Sequence, residues 1–301
     1  MEKLVWSPPT IETLRNFRTL PFRGSDTSWV NLFLLRRKYK LEIAAHDGVL
    51  YRYYHGKNEN RQGYGFPLSA KPLDAEKVFR VLRRDAEERD SIKFCLCDEG
   101  QKKMLSNFFT IKWQSNPGDD DYIYEREKWL DFAGRKYHRL KSRVNRFNRL
   151  YPEAAYFPID NAERLRDALH VARIWQEEHE ETELPREELD EEQNAITDAT
   201  THWRELGMAG GVLYVKGAPV AATMASSLST DCMDFHFDKA VGQYAVAGAT
   251  VVSRRHFAAS NIAQGRPYFN LEEDMNIPGL RQSKETYRPV CKVPKYFGGE
   301  S

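Results

Sequence analysis

Near the end of the chain, FNLEEDMNIPGLRQSKETYRP (residues 269–289) places three acids in a row ahead of Arg281, Lys284 and Arg288, which fall on one stripe of a helix. If PYFNLEED is a strand, Asn270, Glu272 and Asp274 share one face, and Glu273 stands on the other beside Phe269 and Leu271. A carboxylate facing a site can take a proton from an attacking amine or hydroxyl, and a nearby cation can hold a phosphate or a developing oxyanion. A structural ion-pair network would have the same composition. Pro278 suits a helix first turn and Pro289 ends the helix, so the cations share a short element that turns Leu280 and Tyr287 inward.

A second stretch, GRKYHRLKSRVNRFNR (134–149), holds seven Lys or Arg and no acid. On helical pitch Tyr137, Leu140, Val144 and Phe147 form an apolar stripe, while Arg135, Arg139, Arg143 and Arg146 form a cationic one, with Lys136 beside it. Guanidinium groups in a row suit the phosphates of a nucleotide, an RNA end or a lipid head group. A basic surface helix paired with the acidic run EEHEETELPREELDEEQ further on is the alternative.

The segment MDFHFDKA alternates Met233, Phe235 and Phe237 with Asp234, His236 and Asp238. Positions i and i+4 of a strand lie ~13 Å apart, too far to share one ion, so no metal site is expected. His236 and Asp238 are then either cleft-lining or buried and hydrogen-bonded. Gly242 and Gly248 in VGQYAVAGATVV lack the spacing of a phosphate loop, and packing explains Gly248 as well.

The elements that must position these residues fall on two sides of the turn-rich QSNPGDDDY (114–122). Before it come a hairpin turning at Asp47-Gly48, an amphipathic helix in LDAEKVFRVLRRDAEERD, a strand in SIKFCLCDEG and a helix in QKKMLSNFF. After it come the basic helix, a helix with Asp160 or Asn161 as N-cap, two strands joined at Lys216-Gly217-Ala218, the alternating strand, a helix and the last strand. The expectation is an α+β chain of two domains, 1–118 and 119–301, each a mixed, mostly antiparallel sheet flanked by helices, with the basic helix and the candidate site in the second.

Composition narrows the function. Lys and Arg number 45 against 44 Asp and Glu, a net charge of +1, so no whole-molecule field draws this chain to nucleic acid or an anionic membrane. No apolar run approaches the ~20 residues of a transmembrane helix, and MEKLVWSPPT lacks a signal-peptide core, which points to a cytoplasmic protein. Four cysteines without zinc-type spacing read as reduced thiols, with Cys95 and Cys97 in a core strand.

Four stretches carry a resemblance: WVNLFLLRRKYKLEI, FAGRKYHRLKSRVNRF, FHFDKAVGQYAVAGA and NLEEDMNIPGLRQSKETYRP. In this order, from about residue 28 to 297, the chain resembles the bacterial family related to the C-terminal domain of phosphatidylglycerol lysyltransferases. The resemblance implies two tandem GNAT-like domains, the fold of acyl-CoA N-acyltransferases. It implies site candidates at Arg135, Lys136, Arg143, His236, Lys239, Glu272, Asp274, Arg281, Lys284 and Tyr287. Relative to the family pattern, Asp238 replaces a Glu, Leu271 an Arg and Asn276 a Gly.

Residues and resemblance together indicate transfer of an acyl or aminoacyl group from a phosphate-bearing carrier to an amine or hydroxyl. Aminoacyl-tRNA and acyl-CoA are the candidate donors, a small molecule or lipid head group the acceptor, and no tightly bound cofactor is required. Glu272, Asp274 and His236 are the catalytic candidates; Arg135, Lys136, Arg139, Arg143, Lys239, Arg281, Lys284 and Tyr287 are the candidates for holding substrate or phosphate. The competing reading is a non-catalytic module that binds RNA or another anion on the same basic surface.

Overall fold

The computed structural model describes residues 3–17, 24–89, 91–179 and 186–300. The chain divides into two compact units: Met1–Asp121 with Glu273–Pro278 and Lys292–Ser301, and Tyr122–Glu272 with Gly279–Cys291. Where the sequence suggests one cut, the chain thus returns to its first unit twice.

In the first unit, β1 (Glu42–His46), β2 (Val49–His55), β3 (Gln62–Leu68), β4 (Lys93–Cys97) and β5 (Ile111–Ser115) combine with β13 (Tyr296–Glu300) in the order β1-β2-β3-β4-β13-β5. Its helices are α1 (Ile11–Leu14), α2 (Trp29–Leu34), α3 (Ala75–Glu87) and α4 (Glu99–Leu105). The hairpin turns where expected, with Asp47 and Gly48 at φ +48° and +74°, the left-handed pair that matches the twist of a two-residue turn. Asp74 caps α3 through Lys77 N, and α3 lays Val78, Phe79 and Leu82 onto a core with Tyr64, Phe94 and Cys97. Cys95 and Cys97 are free and buried, and burial pushes both thiols up, Cys97 to about 12, so neither is a reactive thiolate.

The second sheet runs β12-β6-β11-β10-β9-β8-β7, from β6 (Asp121–Glu125), β7 (Ala155–Pro158), β8 (Ala209–Val215), β9 (Ala218–Ser227), β10 (Cys232–Ala240), β11 (Tyr268–Asn270) and β12 (Cys291–Val293). Its helices are α5 (Arg126–Asp131), α6 (His138–Leu150), α7 (Ala162–His179), α8 (Arg186–Thr201), α9 (Gly242–Ala247), α10 (Ala249–Ala259) and α11 (Pro278–Thr286). Tyr137, Leu140, Val144 and Phe147 all enter one core with Trp129, Phe235, Phe257 and Phe269, so the apolar stripe docks the basic helix as its periodicity requires. Asn161 caps α7 by accepting from Arg164 N at 2.9 Å. Residues 180–185 of the acidic run lie outside the described residues.

Each sheet contains a parallel pair, β3 with β4 in the first and β10 with β11 in the second. The α+β architecture expected from the sequence, two sheets flanked by helices, is the one observed.

Candidate active site

The β10–β11 pair runs parallel only from Cys232↔Tyr268 to Asp234↔Asn270. Beyond that point the strands part. Leu271 N still donates to Tyr122 O at 3.0 Å and Tyr122 N to Glu272 O at 3.2 Å, so this side of the gap stays bonded to β6. On the other side β10 bulges: Phe235 faces Ala225 and Phe237 faces Met224, which leaves His236 as the extra residue.

The bulge overturns the simple alternation read from MDFHFDKA. Met233, Phe235 and Ala240 share one core, so the parity of the strand changes at His236. Asp238 moves to the α10 side, accepting from Thr223 Oγ1 at 2.6 Å and from Arg254 Nε at 2.7 Å. Although burial opposes the Arg254 charge, Asp238 and Tyr287 hold its guanidinium ionised more firmly than usual. Lys239, on the α7 and α8 side, pairs with both oxygens of Glu192 at 2.8 Å and lies over the Trp175 ring.

What remains at the gap is a compact group. His236 Nδ1 stands 3.3 Å from Glu272 Oε1 and 3.9 Å from Asp234 Oδ2, and its Nε2 is 2.8 Å from Ser226 Oγ. The Asp234 and His236 side chains are 0% and 2% exposed, whereas that of Glu272 is 22% exposed and gives the group its outlet. Glu272 adopts φ +56°, a left-handed conformation that costs a non-glycine residue about 1 kcal/mol or more. It is held there by Asn270 Oδ1, which accepts Glu272 N, and by Lys284, whose buried Nζ donates to the carbonyls of Leu271 and Glu272, the latter at 3.0 Å.

The three consecutive acids therefore part company. Only Glu272 joins His236; β11 ends at Asn270, so the strand that was to align Asp274 with Glu272 does not continue. Glu273 and Asp274 belong to the first unit, where Glu273 meets Arg61 at 3.2 Å and Lys295 at 3.6 Å, and buried Asp274 accepts Asn276 N at 2.9 Å. Lys284 and Lys239, read from sequence as phosphate ligands, are turned inward to carbonyls and to Glu192. Tyr287 is core, stacked near Trp129 and Arg254, and Arg281 is half-buried on α11.

Arg135, Lys136, Arg139 and Arg143 are exposed, and among the described residues they form no ion pair. Gly248 at φ +114° caps α9 and leads α10, and a Cβ there would meet the Arg143 backbone at 3.3 Å, so this glycine lets two helices approach. Gly242 N already donates to Glu178 Oε2 at 3.0 Å. The sequence pattern assigns no role to Ser226, to Asn270 as a backbone acceptor, or to Asp234 as a partner of Glu272. Asn two residues before an acid is a weak sign of an Asx contact; the other two depend on the bulge, which leaves no trace in the pattern.

The candidate site is thus a parallel strand pair that parts over a buried His and carboxylates. The family model of the phosphatidylglycerol lysyltransferase C-terminal domain matches residues 17–297, and the chain belongs to that family. A conserved protein of unknown function from Bacteroides thetaiotaomicron is 24% identical with TM-score 0.86, covering 99% of this chain and 100% of that one. L-PGS from Bacillus licheniformis is 15% identical with TM-score 0.67, covering 97% and 92%. The C-terminal domain of a putative lysylphosphatidylglycerol synthetase from Agrobacterium fabrum is 12% identical with TM-score 0.65, covering 97% and 91%. At these identities the likeness establishes the fold. No curated protein matches the chain. Family and fold together support an acyl or aminoacyl transferase of this kind.

Proposed function

We propose that the chain transfers an aminoacyl or acyl group from a phosphate-bearing carrier to an amine or hydroxyl. The observation that carries this reading is the part-exposed Glu272 beside His236 where β10 and β11 separate. The acceptor N–H or O–H loses its proton to Glu272 as the nitrogen or oxygen bonds to the donor's carbonyl carbon. The carbonyl oxygen gathers charge, then the ester C–O bond of an aminoacyl-tRNA, or the C–S bond of an acyl-CoA, breaks. The departing hydroxyl or thiol takes the proton back. Asn270 and Lys284 hold the Glu272 backbone in place.

Donor phosphates fall to the exposed row Arg135, Lys136, Arg139 and Arg143, the planar fork of arginine suiting them better than isolated ammonium groups. The family's name, phosphatidylglycerol lysyltransferase, makes an activated lysyl group the first donor to offer and a lipid head group the first acceptor. No helix among the described residues is long and apolar enough to cross a membrane.

The deciding experiment offers radiolabelled aminoacyl-tRNA and acyl-CoA with amine and lipid acceptors to wild type and Glu272→Gln. Loss of the base should cut turnover about 10²- to 10⁴-fold with donor affinity nearly unchanged. Equal loss of affinity and turnover, or unchanged turnover, removes the role. The unpaired cationic row alone favours the second reading, an RNA-binding module. In that case Arg139→Ala with Arg143→Ala weakens RNA binding and flattens its salt dependence, and no donor is turned over.

A further inference from the structure

Asp234, His236 and Glu272 each offer one ligand atom, and the three atoms lie within 4.8 Å of one another. Asp234 and Asp238 stand too far apart along one strand to share an ion, but the third ligand comes from beyond the end of β11 instead. We propose that Asp234, His236 and Glu272 bind one divalent transition-metal ion of the zinc or manganese kind, a site that shares His236 and Glu272 with the proposed transfer reaction but rests on this geometry alone.

The His236 ring supplies the observation that an acidic cluster alone would lack. Its Nδ1 is buried, makes no hydrogen bond among the described residues and points between two carboxylates. With Nε2 protonated and donating to Ser226 Oγ at 2.8 Å, Nδ1 presents its lone pair to the same space as Asp234 Oδ2 and Glu272 Oε1. Converging lone pairs repel unless a metal ion or a proton on Nδ1 lies between them, and the metal titration below separates the two. A ligating imidazole usually donates its other N–H to an outer partner that sets its tautomer and orientation, and Ser226 is placed for that. Asn270 and Lys284 fix the Glu272 backbone in the same way.

One imidazole nitrogen with two carboxylate oxygens suits zinc or manganese better than calcium, which takes six to eight oxygens. Protein ligands ~2 Å from a common ion sit roughly 3–3.5 Å apart. The observed 3.3 and 3.9 Å separations need only small side-chain movement. Glu272, at the exposed edge, gives the ion its way in.

The test is calorimetric titration of the chelator-treated full chain with ZnCl2 and MnCl2, with MgCl2 as reference, and a melting curve at saturating metal. One equivalent of Zn²⁺ or Mn²⁺ should bind, the melting temperature should rise by a few degrees, and His236→Gln and Glu272→Gln should each weaken binding by more than the ~10- to 100-fold that loss of an outer-shell partner costs. Glu272 is part-exposed, so its variant keeps the test valid if the buried His236 variant fails to fold. Absence of a stoichiometric site, or equal binding by the Glu272→Gln variant, overturns the proposal. Because binding is read without substrate, a chain that takes up metal but transfers nothing removes the reaction and leaves the site standing.

Discussion

Glu272 and Glu273 are neighbours in sequence and belong to different electrostatic worlds. Glu273 joins a buried network in which Lys295 meets Asp121 at 2.6 Å and Asp26 at 2.5 Å, while Arg61 meets Asp119 at 3.3 Å. Ser25 closes this network through its N–H and hydroxyl to the two oxygens of Asp121. Glu272 instead converges with Asp234 on an imidazole nitrogen, and keeps an exposed edge. In the first group cations meet the carboxylates directly, which holds structure. In the second the carboxylates converge on an imidazole nitrogen beside an opening to solvent, which is the arrangement a binding or reacting site needs.

Breaking the first group should have the largest effect. Lys295→Met leaves Asp26, Asp121 and Glu273 buried around the lost charge, and should cost about 3–5 kcal/mol in urea unfolding. A loss below about 1 kcal/mol would show that the network is dispensable. The same lysine predicts a pH step. Burial pulls its pKa down, but Asp121, Asp26 and Glu273 outweigh burial and hold it well above its ordinary value. A folded pKa above the unfolded one means the contribution is fully present below pH 10.5 and is lost as pH rises through the folded value. Wild type should therefore lose stability above about pH 10.5, and Lys295→Met should show a smaller step.

Lys284→Met comes next. Two buried carbonyls lose their donor, at about 1–3 kcal/mol, and the left-handed Glu272 loses a restraint. Transfer should fall further than stability explains, with kcat reduced more than KM is raised. A proportionate loss of both would make Lys284 a packing residue only.

Lys239 sharpens the comparison from the other side. Burial lowers its pKa and Glu192, its ion-pair partner, offsets this only in part. Holding it charged near neutral pH therefore costs stability, and the Glu192 side chain, 35% exposed, can return to water. Lys239→Met should change the urea midpoint by less than about 1 kcal/mol, in the stabilising direction if either. Two buried lysines with opposite responses to the same substitution would separate a matched network from a single pair.

Much of the fold was legible because local chemistry and tertiary packing agree. Asp47-Gly48 needs left-handed backbone and forms the turn; Leu140, Val144 and Phe147 repeat at helical spacing and are buried. The return of β13 was not legible: KYFGGE has no clean alternation, and its place between β4 and β5 is decided by partners far away in sequence. At the site, residue type and spacing picked out Glu272 and the family resemblance added His236, and the fold brings the two to 3.3 Å. The fate of Asp274, Lys239 and Lys284 was hidden, because a bulge and a left-handed turn change which way side chains face without changing the pattern of letters. A charged residue reads as exposed until its buried partner is known.

Asn276 carries the smallest effect and tests the turn that divides the acids. It sits at φ +59°, with Met275 at +51° before it. Asparagine tolerates this conformation better than other side chains do. Here its Nδ2 also donates to Asn116 Oδ1 at 2.9 Å. Asn276→Gly removes that exposed bond and the backbone strain together, so stability should stay within about 0.5 kcal/mol. Asn276→Ala removes the bond and keeps the strain, and should cost about 1 kcal/mol more than glycine does. If alanine and glycine behaved alike, the left-handed backbone would not be what position 276 demands, and the parting of Glu272 from Glu273 and Asp274 would have to rest on their side-chain partners alone.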